Sequence, residues 1–306
     1  KVVDHVKAVD DVSLEIYKGE TLGIVGESGC GKSTFGKSIM RLEQITDGKV
    51  IFNYDGQFKD VAQFDKKEMF EFRKKVQMVF QDPYSALNPQ KTIYTSFEEP
   101  LKTHGYTSVE EREAIMQRVL KLVNIPTDYL MRYPHEFSGG QRQRLCIARA
   151  REVMPEVLIC DEPVSALDVS MQAQVLNLMK DIQKEMNLTY LFIAHDLSVV
   201  QYMSDRVMVM YLGSIVEVAD SRTLYEETLH PYTKALLSAI PIADIHVKKK
   251  RQILEGEVPS PIHKPTGCPF HNRCPQCMEI CKKERPVLAE KGKNGHMVAC
   301  HLYDGK

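Results

Sequence analysis

A glycine-rich segment after a short apolar run constrains the fold of this chain more than any other feature. Residues Gly26 to Thr34 have the sequence GESGCGKST, which fits the pattern G-x-x-x-x-G-K-[ST], and residues Leu22 to Val25 before it are apolar. A loop of this kind, between a strand and a helix, points several backbone N–H groups and the positive end of the helix dipole at one position. The sequence therefore predicts a phosphate-binding loop at the end of a buried strand.

Two side chains of the loop have distinct predicted roles. Lys32 is expected to reach the outer phosphates of a bound polyphosphate, and the Ser33 hydroxyl is expected to ligate the Mg²⁺ that bridges them. The residues predicted to surround the phosphates are Gly26, Ser28, Gly29, Cys30, Gly31, Lys32, Ser33 and Thr34.

Composition narrows the class of protein. With 306 residues, 43% of them hydrophobic, the chain is long enough to bury a sizeable core. Its longest apolar runs, such as Val207 to Leu212, are far shorter than the roughly 18 residues that a membrane helix needs, and no secretory signal is visible. The net charge of -1 gives no support for nucleic-acid binding, and the basic run Lys248 to Arg251 is expected to be a solvated linker.

Local patterns predict an α/β fold. Residues 9 to 25 are predicted to form strands, because apolar and polar residues alternate from Val12 to Ile16. Ser108 to Glu111 form a capping-box pattern before a helix that ends near Asn124. The apolar runs Val157 to Cys160 and Leu191 to Ala194 are typical of buried parallel strands that carry a site at their carboxyl ends.

These elements predict a parallel α/β core with an antiparallel β edge and a helical insertion. We assign residues 1–85 and 151–225 to the core and residues 86–150 to the helical part. Recurrent prolines after residue 225 indicate a separate, loop-rich C-terminal extension over residues 226–306.

Two further motifs indicate chemistry on a phosphate. Asp161 and Glu162 come at the end of a predicted strand, where Asp161 would hold the metal ion through water and Glu162 would polarise an attacking water. The segment Phe137 to Arg144, FSGGQRQR, precedes a predicted helix whose N-terminus can approach an anion. Because the chain already has one phosphate loop, this second phosphate-binding segment suggests a site built from two chains.

The ordered set of motifs resembles the ATPase subunits of ABC transporters over roughly residues 2 to 240. Gln81, in VFQDP, matches the family's Q-loop, and Ser138, Gly139, Gly140 and Gln141 match its signature. Asp168, in SALD, matches the D-loop, and His195 matches the switch histidine.

The resemblance implies a role for each of these positions. In the family, two subunits sandwich two ATP molecules, so the signature Ser138 to Gln141 would face the partner's ATP and Asp168 would cross the interface. Gln81 would sense magnesium and water, His195 would contact the γ-phosphate, and Glu162 would be the principal catalytic base. The magnesium ligands would be Ser33, Gln81 and Asp161.

Longer stretches are similar to one branch of the family, the oligopeptide and dipeptide importer ATPases. They are Gln81 to Pro89, Tyr133 to Arg144, Ala194 to Val200 and His230 to Thr233. In these importers two different ATPases pair, and the chain resembles the second of them. The resemblance implies a related ATPase and two membrane permease subunits as partners, with a substrate-binding protein outside the membrane involved indirectly. The chain would act at the cytoplasmic face of the cell membrane, with the helical insertion, including Tyr84 to Thr95, pressing on the permeases.

Three alternatives remain open. Nickel or glutathione importers have ATPases with similar motifs. A soluble ABC protein acting on ribosomes or DNA is a candidate of another class, although such proteins usually carry two ATPase domains or a long coiled coil. The third is a metal-binding sensor whose ATP site regulates partner binding.

The family's adenine-stacking aromatic residue has no clear counterpart. No aromatic residue precedes Tyr17, so His5 or residues before Lys1 would have to serve. The signature also begins with Phe137 where leucine is commoner, a change that this branch often shows.

Five of the eight cysteines lie between Cys268 and Cys300. Clustered cysteines in a phosphate-loop enzyme of the reducing cytosol more often bind metal than form disulfides. The segment resembles the tail of peptide-importer ATPases that carries a 4Fe-4S cluster, which implies Cys268, Cys274, Cys281 and Cys300 as ligands. Tetrahedral zinc and no metal at all are the alternatives. Cys277 is a possible substitute ligand. Nothing in the tail sequence places it beside the phosphate loop, so we expect it to have a structural role.

Overall fold

The computed structural model describes residues 5–240, 252 and 254–305, and the basic run Lys248 to Arg251 lies outside them. The chain forms two compact units, the first from residues 1–16, 20–35 and 192–306 and the second from residues 17–19 and 36–191. Within the part of the chain that is described, no helix has both the length and the apolar character that crossing a membrane requires.

The strands of the described residues are β1 (Thr21–Val25), β2 (Ile51–Tyr54), β3 (Gln57–Asp60), β4 (Val76–Val79), β5 (Val157–Asp161), β6 (Thr189–Ile193), β7 (Arg206–Tyr211), β8 (Ser214–Asp220), β9 (Ala289–Glu290) and β10 (Met297–Val298). The α-helices are α1 (Lys32–Ile39), α2 (Lys66–Lys75), α3 (Pro83–Ala86), α4 (Ile93–Thr103), α5 (Val109–Leu122), α6 (Gly139–Arg151), α7 (Val169–Met186), α8 (Leu197–Met203), α9 (Ser221–Glu226), α10 (Pro231–Ser238) and α11 (Glu279–Lys283).

The first unit contains a mixed sheet. β1 pairs in parallel with β7, in a register that runs from Leu22 opposite Arg206 to Val25 opposite Val209. The strands β8, β10 and β9 then follow in antiparallel pairs. All five residues of β1 are buried, as expected for a strand covered on both faces. The predicted combination of a parallel core with an antiparallel edge is confirmed in this unit.

Close packing of helix α8 against β1 depends on a glycine. A Cβ atom on Gly23 would lie 2.3 Å from Oγ of Ser204 and 2.4 Å from a methyl group of Val200. Only a residue without a side chain allows the helix to come this near to the strand. The glycine therefore sets the helix against the strand that leads into the phosphate loop.

The second unit is largely helical and contains the parallel pair of β4 and β5. β4 pairs with β5 from Val76 opposite Val157 to Val79 opposite Cys160. The strands β2 and β3 form a separate hairpin. Helix α5 begins after Ser108, whose side chain accepts a hydrogen bond from the backbone N–H of Glu111. The helix predicted from the capping pattern is confirmed.

One predicted strand region is wrong. Residues 9 to 20, all of them described, form no strand, and β1 begins only at Thr21. Val12, Leu14 and Ile16 are half-buried and alternate with exposed neighbours, so the pattern correctly identified the inward face. Side chains of any extended segment alternate between two faces, whether or not its backbone is hydrogen-bonded to another strand. Alternation of apolar and polar residues therefore predicted a strand where only an extended segment forms.

Candidate active site

The phosphate loop lies in the first unit between the end of β1 and the start of α1, as the sequence predicts. Gly31 has φ +103°, and a Cβ atom there would lie 2.0 Å from the carbonyl oxygen of Ala8. A left-handed conformation and this close backbone approach together require glycine. Ser28 and Gly29 are exposed at the tip of the loop, while Ser33 and Thr34 are half-buried at the start of the helix.

Lys32 is buried, and its amine lies inside the loop. Nζ donates hydrogen bonds to the carbonyl oxygens of Gly26 at 2.8 Å and Glu27 at 3.1 Å, and it lies 3.8 Å from Sγ of Cys30. Burial raises the pKa of the Cys30 thiol, which keeps that side chain neutral. The loop therefore holds a positive charge at its centre, where a phosphate oxygen can replace a carbonyl as its partner.

The predicted switch histidine belongs to the same unit. His195 is exposed and follows β6, and the N–H of the preceding Ala194 donates a hydrogen bond of 3.2 Å to the carbonyl of Ile24 in β1. Asp196 caps helix α8 by accepting a hydrogen bond from the N–H of Ser198 at 2.8 Å. His195 is thus held at the end of a strand, directly before a capped helix.

The acidic pair lies in the second unit at the end of β5. Asp161 is buried and Glu162 is half-buried. Glu162 has φ 46°, a left-handed conformation that non-glycine residues rarely adopt and that concentrates at functional sites. The backbone N–H and the hydroxyl of Ser165 both donate to the carbonyl oxygen of Glu162, at 3.2 and 3.0 Å. These bonds stabilise the turn that orients the Glu162 side chain.

Gln81 and Glu162 are brought together within this unit. Nε2 of Gln81 donates a hydrogen bond of 2.9 Å to Oε2 of Glu162. The parallel pairing of β4 and β5 explains the contact, because these two residues follow the carboxyl ends of adjacent strands. The amide orients the predicted catalytic carboxylate.

The signature segment forms the N-terminus of α6. The Ser138 hydroxyl accepts from the N–H of Gln141 at 3.3 Å, and the Gln141 side chain accepts from the N–H of Ser138 at 3.0 Å. Ser138 is exposed at this reciprocal cap, whereas Gly140 is buried. A Cβ on Gly140 would lie 2.0 Å from Cε of Met171, so this glycine packs closely against the end of a side chain of α7.

The remaining predicted positions lie as follows. Asp168 is exposed and caps α7, because its carboxylate accepts a hydrogen bond of 2.9 Å from the N–H of Met171. Phe137 is buried, and its carbonyl accepts two hydrogen bonds from the guanidinium of Arg142. His5, the candidate for adenine stacking, is exposed in the first unit.

A contact with the phosphate loop corrects the expectation that nothing places the C-terminal tail beside it. The guanidinium of Arg273 donates to both carboxylate oxygens of Glu27, at 2.7 and 3.1 Å. The backbone N–H of Glu27 donates to the hydroxyl of Tyr232 at 2.9 Å. These contacts could not be predicted from the sequence, because no local pattern links residues that are 205 and 246 positions apart.

The four predicted cluster ligands gather in the first unit. Cys268, Cys281 and Cys300 are buried and Cys274 is half-buried. Burial, together with the charges of the other three thiols, raises the pKa of Cys268 to about 12. Among the described residues, however, no group of three or more His, Cys, Asp or Glu side chains is arranged to hold a metal ion. The structure therefore does not bear out the metal-binding module.

Two family models match the chain. Residues 9–165 match the ABC transporter family, and residues 216–281 match the family described as the C-terminal region of oligopeptide/dipeptide transporters. The chain is 53% identical over 301 residues to a putative oligopeptide transport ATP-binding protein, YkfD, of Bacillus subtilis, covering 97% of this chain and 90% of the relative. It is 52% identical over 302 residues to the oligopeptide transport ATP-binding protein OppF of Salmonella typhimurium, covering 97% and 88%.

A solved structure supports the same assignment. The ATP-binding cassette MJ0796, solved as a dimer in a post-hydrolysis state with ADP and Pi, has a TM-score of 0.61 and 30% identity to this chain. The match covers 70% of this chain and 91% of that one. The chain thus combines the phosphate loop, the Gln81–Glu162 pair and the capped signature helix. The relatives reported above are named as oligopeptide transport ATP-binding proteins. The chain belongs to the ABC transporter family, in the branch that carries the oligopeptide/dipeptide transporter C-terminal region.

Proposed function

We infer that the chain is an ATPase that powers the import of oligopeptides or dipeptides through membrane permease subunits in bacteria. The observation that carries the hydrolytic activity is the hydrogen bond between Gln81 and Glu162, which orients a carboxylate at the end of a strand. The peptide cargo is supported by relatives named as oligopeptide transport ATP-binding proteins. No membrane-spanning helix is found in the residues described, which suits a peripheral subunit at the cytoplasmic face of the membrane.

The residues of the chain suit MgATP. The Ser33 hydroxyl, the Gln81 amide oxygen and the Asp161 carboxylate are hard oxygen donors, the kind that Mg²⁺ prefers. When bound, the ion neutralises charge on the phosphates. Backbone N–H groups of the loop and the Lys32 amine bind the phosphates, while Glu162 takes the proton of the attacking water. His195 contacts the γ-phosphate.

We propose that a second, related ATPase completes the site. The exposed cap at Ser138 leaves the N-terminus of α6 available to the γ-phosphate of ATP bound by that partner, with Gly139, Gly140 and Gln141 behind it. Asp168, exposed at the start of α7, would cross the same interface. Size-exclusion chromatography with light scattering of the Glu162→Gln variant, with ATP and with or without the second ATPase, tests the pairing. A homodimer formed with ATP alone would argue against an obligatory hetero-pair.

The permease subunits are proposed to contact the helical part after Gln81. A groove of about 410 Å³ lies in the second unit. It is lined by residues 84–89 and by side chains that include Lys91, Glu99 and Arg149. The guanidinium of Arg149 donates to the carbonyl of Ala86 at 2.6 Å and so fixes one wall. Copurification of permeases with the wild-type chain, and its loss on substitution of the exposed groove residue Tyr84 by Ala (Tyr84→Ala), would support this docking site. A substrate-binding protein would act through the permeases.

We also propose that Cys268, Cys274, Cys281 and Cys300 bind a 4Fe-4S cluster, with zinc as the alternative. The support is that the four cysteines lie in one unit and that the backbone N–H of Cys268 donates a 2.8 Å hydrogen bond to the carbonyl of Cys281, although the described side chains are not arranged as metal ligands. Anaerobic iron, sulfide and zinc analysis tests this proposal. Cys274→Ser should lose the cluster, whereas Cys277→Ser, a matched change three residues away, should retain it. Zinc without iron would exclude the cluster.

A test of the whole function is peptide uptake in cells whose only copy of this chain carries Glu162→Gln. Loss of labelled-peptide uptake, with uptake retained in cells carrying Glu185→Gln at an exposed site on α7, would support the proposal. Retained peptide uptake together with lost nickel or glutathione uptake would favour those cargoes. Copurification with ribosomes or DNA instead of permeases would favour the soluble class, and ATP-dependent partner binding without transport would favour a sensor.

A further inference from the structure

Glu27 places a carboxylate in the loop that is proposed to bind a polyphosphate. It follows Gly26 directly, and its own carbonyl accepts a hydrogen bond from the Lys32 amine. Its carboxylate would bring a negative charge close to a ligand that already carries several. Like charges at short range weaken binding unless another group neutralises one of them.

Arg273 supplies that neutralisation from the C-terminal region of the same unit. The guanidinium forms a two-pronged ion pair with Glu27, and its side chain is only 7% exposed, against 27% for that of Glu27. Partial burial reduces screening by solvent, so the pairing is stronger here than at an open surface. A hydrogen bond to Glu27 also raises the pKa of Arg273, so the guanidinium stays charged.

The surroundings of Arg273 hold it in place. The residue ends a short 3-10 turn over His271–Arg273. The preceding Phe270 is buried, with its ring centroid 5.3 Å from those of both Tyr211 and Tyr232. The hydroxyl of Tyr232 accepts the backbone N–H of Glu27. Glu27 is therefore held at two points. Tyr232, in the aromatic cluster, holds its backbone N–H, and Arg273, next to that cluster, holds its carboxylate.

We propose that Arg273 is a positioning residue of the phosphate loop, which neutralises and orients Glu27 and thereby sets the affinity of the loop for ATP. This inference rests on the proposed ATPase function. It assigns the C-terminal region a part in nucleotide binding, although that region contributes no residue to the loop itself.

The first test is Arg273→Gln in the full-length chain. Freed of its partner, Glu27 should weaken the binding of MgATP by about tenfold, the usual scale of one partly screened charge pair. The effect on MgADP should be smaller, since ADP carries less negative charge. KM should rise more than kcat falls. The matched control is Arg222→Gln, which breaks the exposed ion pair of Arg222 with Glu226 and should leave affinity unchanged.

The decisive test is rescue by removal of the carboxylate. In the double variant Arg273→Gln/Glu27→Gln no charge remains to be neutralised, so MgATP affinity should return to within about twofold of the wild type if the interaction is electrostatic. A merely structural role for Arg273 predicts no rescue, together with a lowered melting temperature in both variants. Arg273→Lys, which keeps the charge but loses the two-pronged geometry, should lie between Arg273→Gln and the wild type.

The outcomes separate the two proposals. A wild-type chain that binds no MgATP would overturn the ATPase function and this inference together. Normal ATP binding by the wild type with unchanged affinity in Arg273→Gln would overturn this inference alone. Weaker binding without rescue would also overturn it, because the carboxylate would then not be the cause.

Discussion

The side-chain amide of Gln81 donates a 2.9 Å hydrogen bond to the carboxylate of Glu162, a residue with left-handed backbone geometry. Two adjacent parallel strands bring these residues together, and the Ser165 bonds to the Glu162 carbonyl hold the turn. The carboxylate is thus oriented by the protein's own side chain and backbone. Preorganised groups of this kind do not need to be ordered during the reaction.

Glu162→Gln should bind MgATP as the wild type does and hydrolyse it at least about 100-fold more slowly, since a positioned general base contributes on that scale. ATP should accumulate in a closed dimer. Single-turnover hydrolysis and light scattering measure the two effects. Glu185→Gln, a change of the same kind at an exposed position on α7, is the control and should hydrolyse ATP normally. Near-normal turnover in Glu162→Gln would refute its assignment as the base.

Gln81→Ala should slow hydrolysis roughly tenfold, the scale of a hydrogen bond to a charged group. The effect should disappear in the double variant with Glu162→Gln, because the amide would then have no catalytic carboxylate to orient. Steady-state rates of the wild type, the two single variants and the double variant give the coupling free energy between Gln81 and Glu162. Gln117→Ala, at an exposed site on α5, is the control. Additive losses would show that Gln81 acts independently of Glu162.

Two substitutions at Ser138 separate its capping role from its proposed role toward the partner's ATP. Ser138→Ala should lower the free energy of unfolding by about 1 kcal/mol, the usual cost of losing an N-cap. Ser138→Asp should keep the cap and the stability but abolish hydrolysis, because a carboxylate there repels phosphate. Urea unfolding and ATPase assays measure both. Full activity of Ser138→Asp would exclude phosphate binding at this position.

We expect the free energy of unfolding to depend on pH through Glu152. The carboxyl is fully buried at the end of α6, neither oxygen has a hydrogen-bond partner among the described residues, and burial raises its pKa from 4.5 to about 9. Between these values the folded state binds more protons than the unfolded state, so the free energy of unfolding falls as pH rises toward about 9.

Glu152→Gln removes this titration. The variant should therefore gain stability relative to the wild type at pH 8, and the gain should shrink toward pH 5. Melting temperatures across this range measure the difference, with Glu185→Gln as the exposed control. A gain that stays constant with pH would show that another group is responsible.

Short-range patterns predicted most of the candidate site. The phosphate loop, the acidic pair and the helix after Ser108 each depend on residues close together in sequence, and the structure places each of them in the predicted type of element. The assigned roles remain predictions, as does the division into core, helical part and C-terminal extension.

Contacts between residues far apart in the chain could not be predicted from the sequence. The pairing of Glu27 with Arg273 depends on the whole first unit being folded, and nothing local to either residue indicates it. The left-handed conformation of Glu162 was also missed, because glutamate has no preference for that region of backbone space. Over residues 9 to 20, the alternation of apolar and polar residues predicted the inward face correctly, but the strand that it predicted does not form.

The short strand β10 has a consequence for any shortened form of the chain. Met297 and Val298 pair with Val218 and Glu217, so the C-terminal segment covers one side of β8, a seven-residue strand that is almost entirely buried. A chain ending before Met297 would present that row of backbone donors and acceptors, flanked by apolar side chains, to other molecules. Such truncations should self-associate by strand addition, and their loss of activity would then report on aggregation rather than on the cysteines removed.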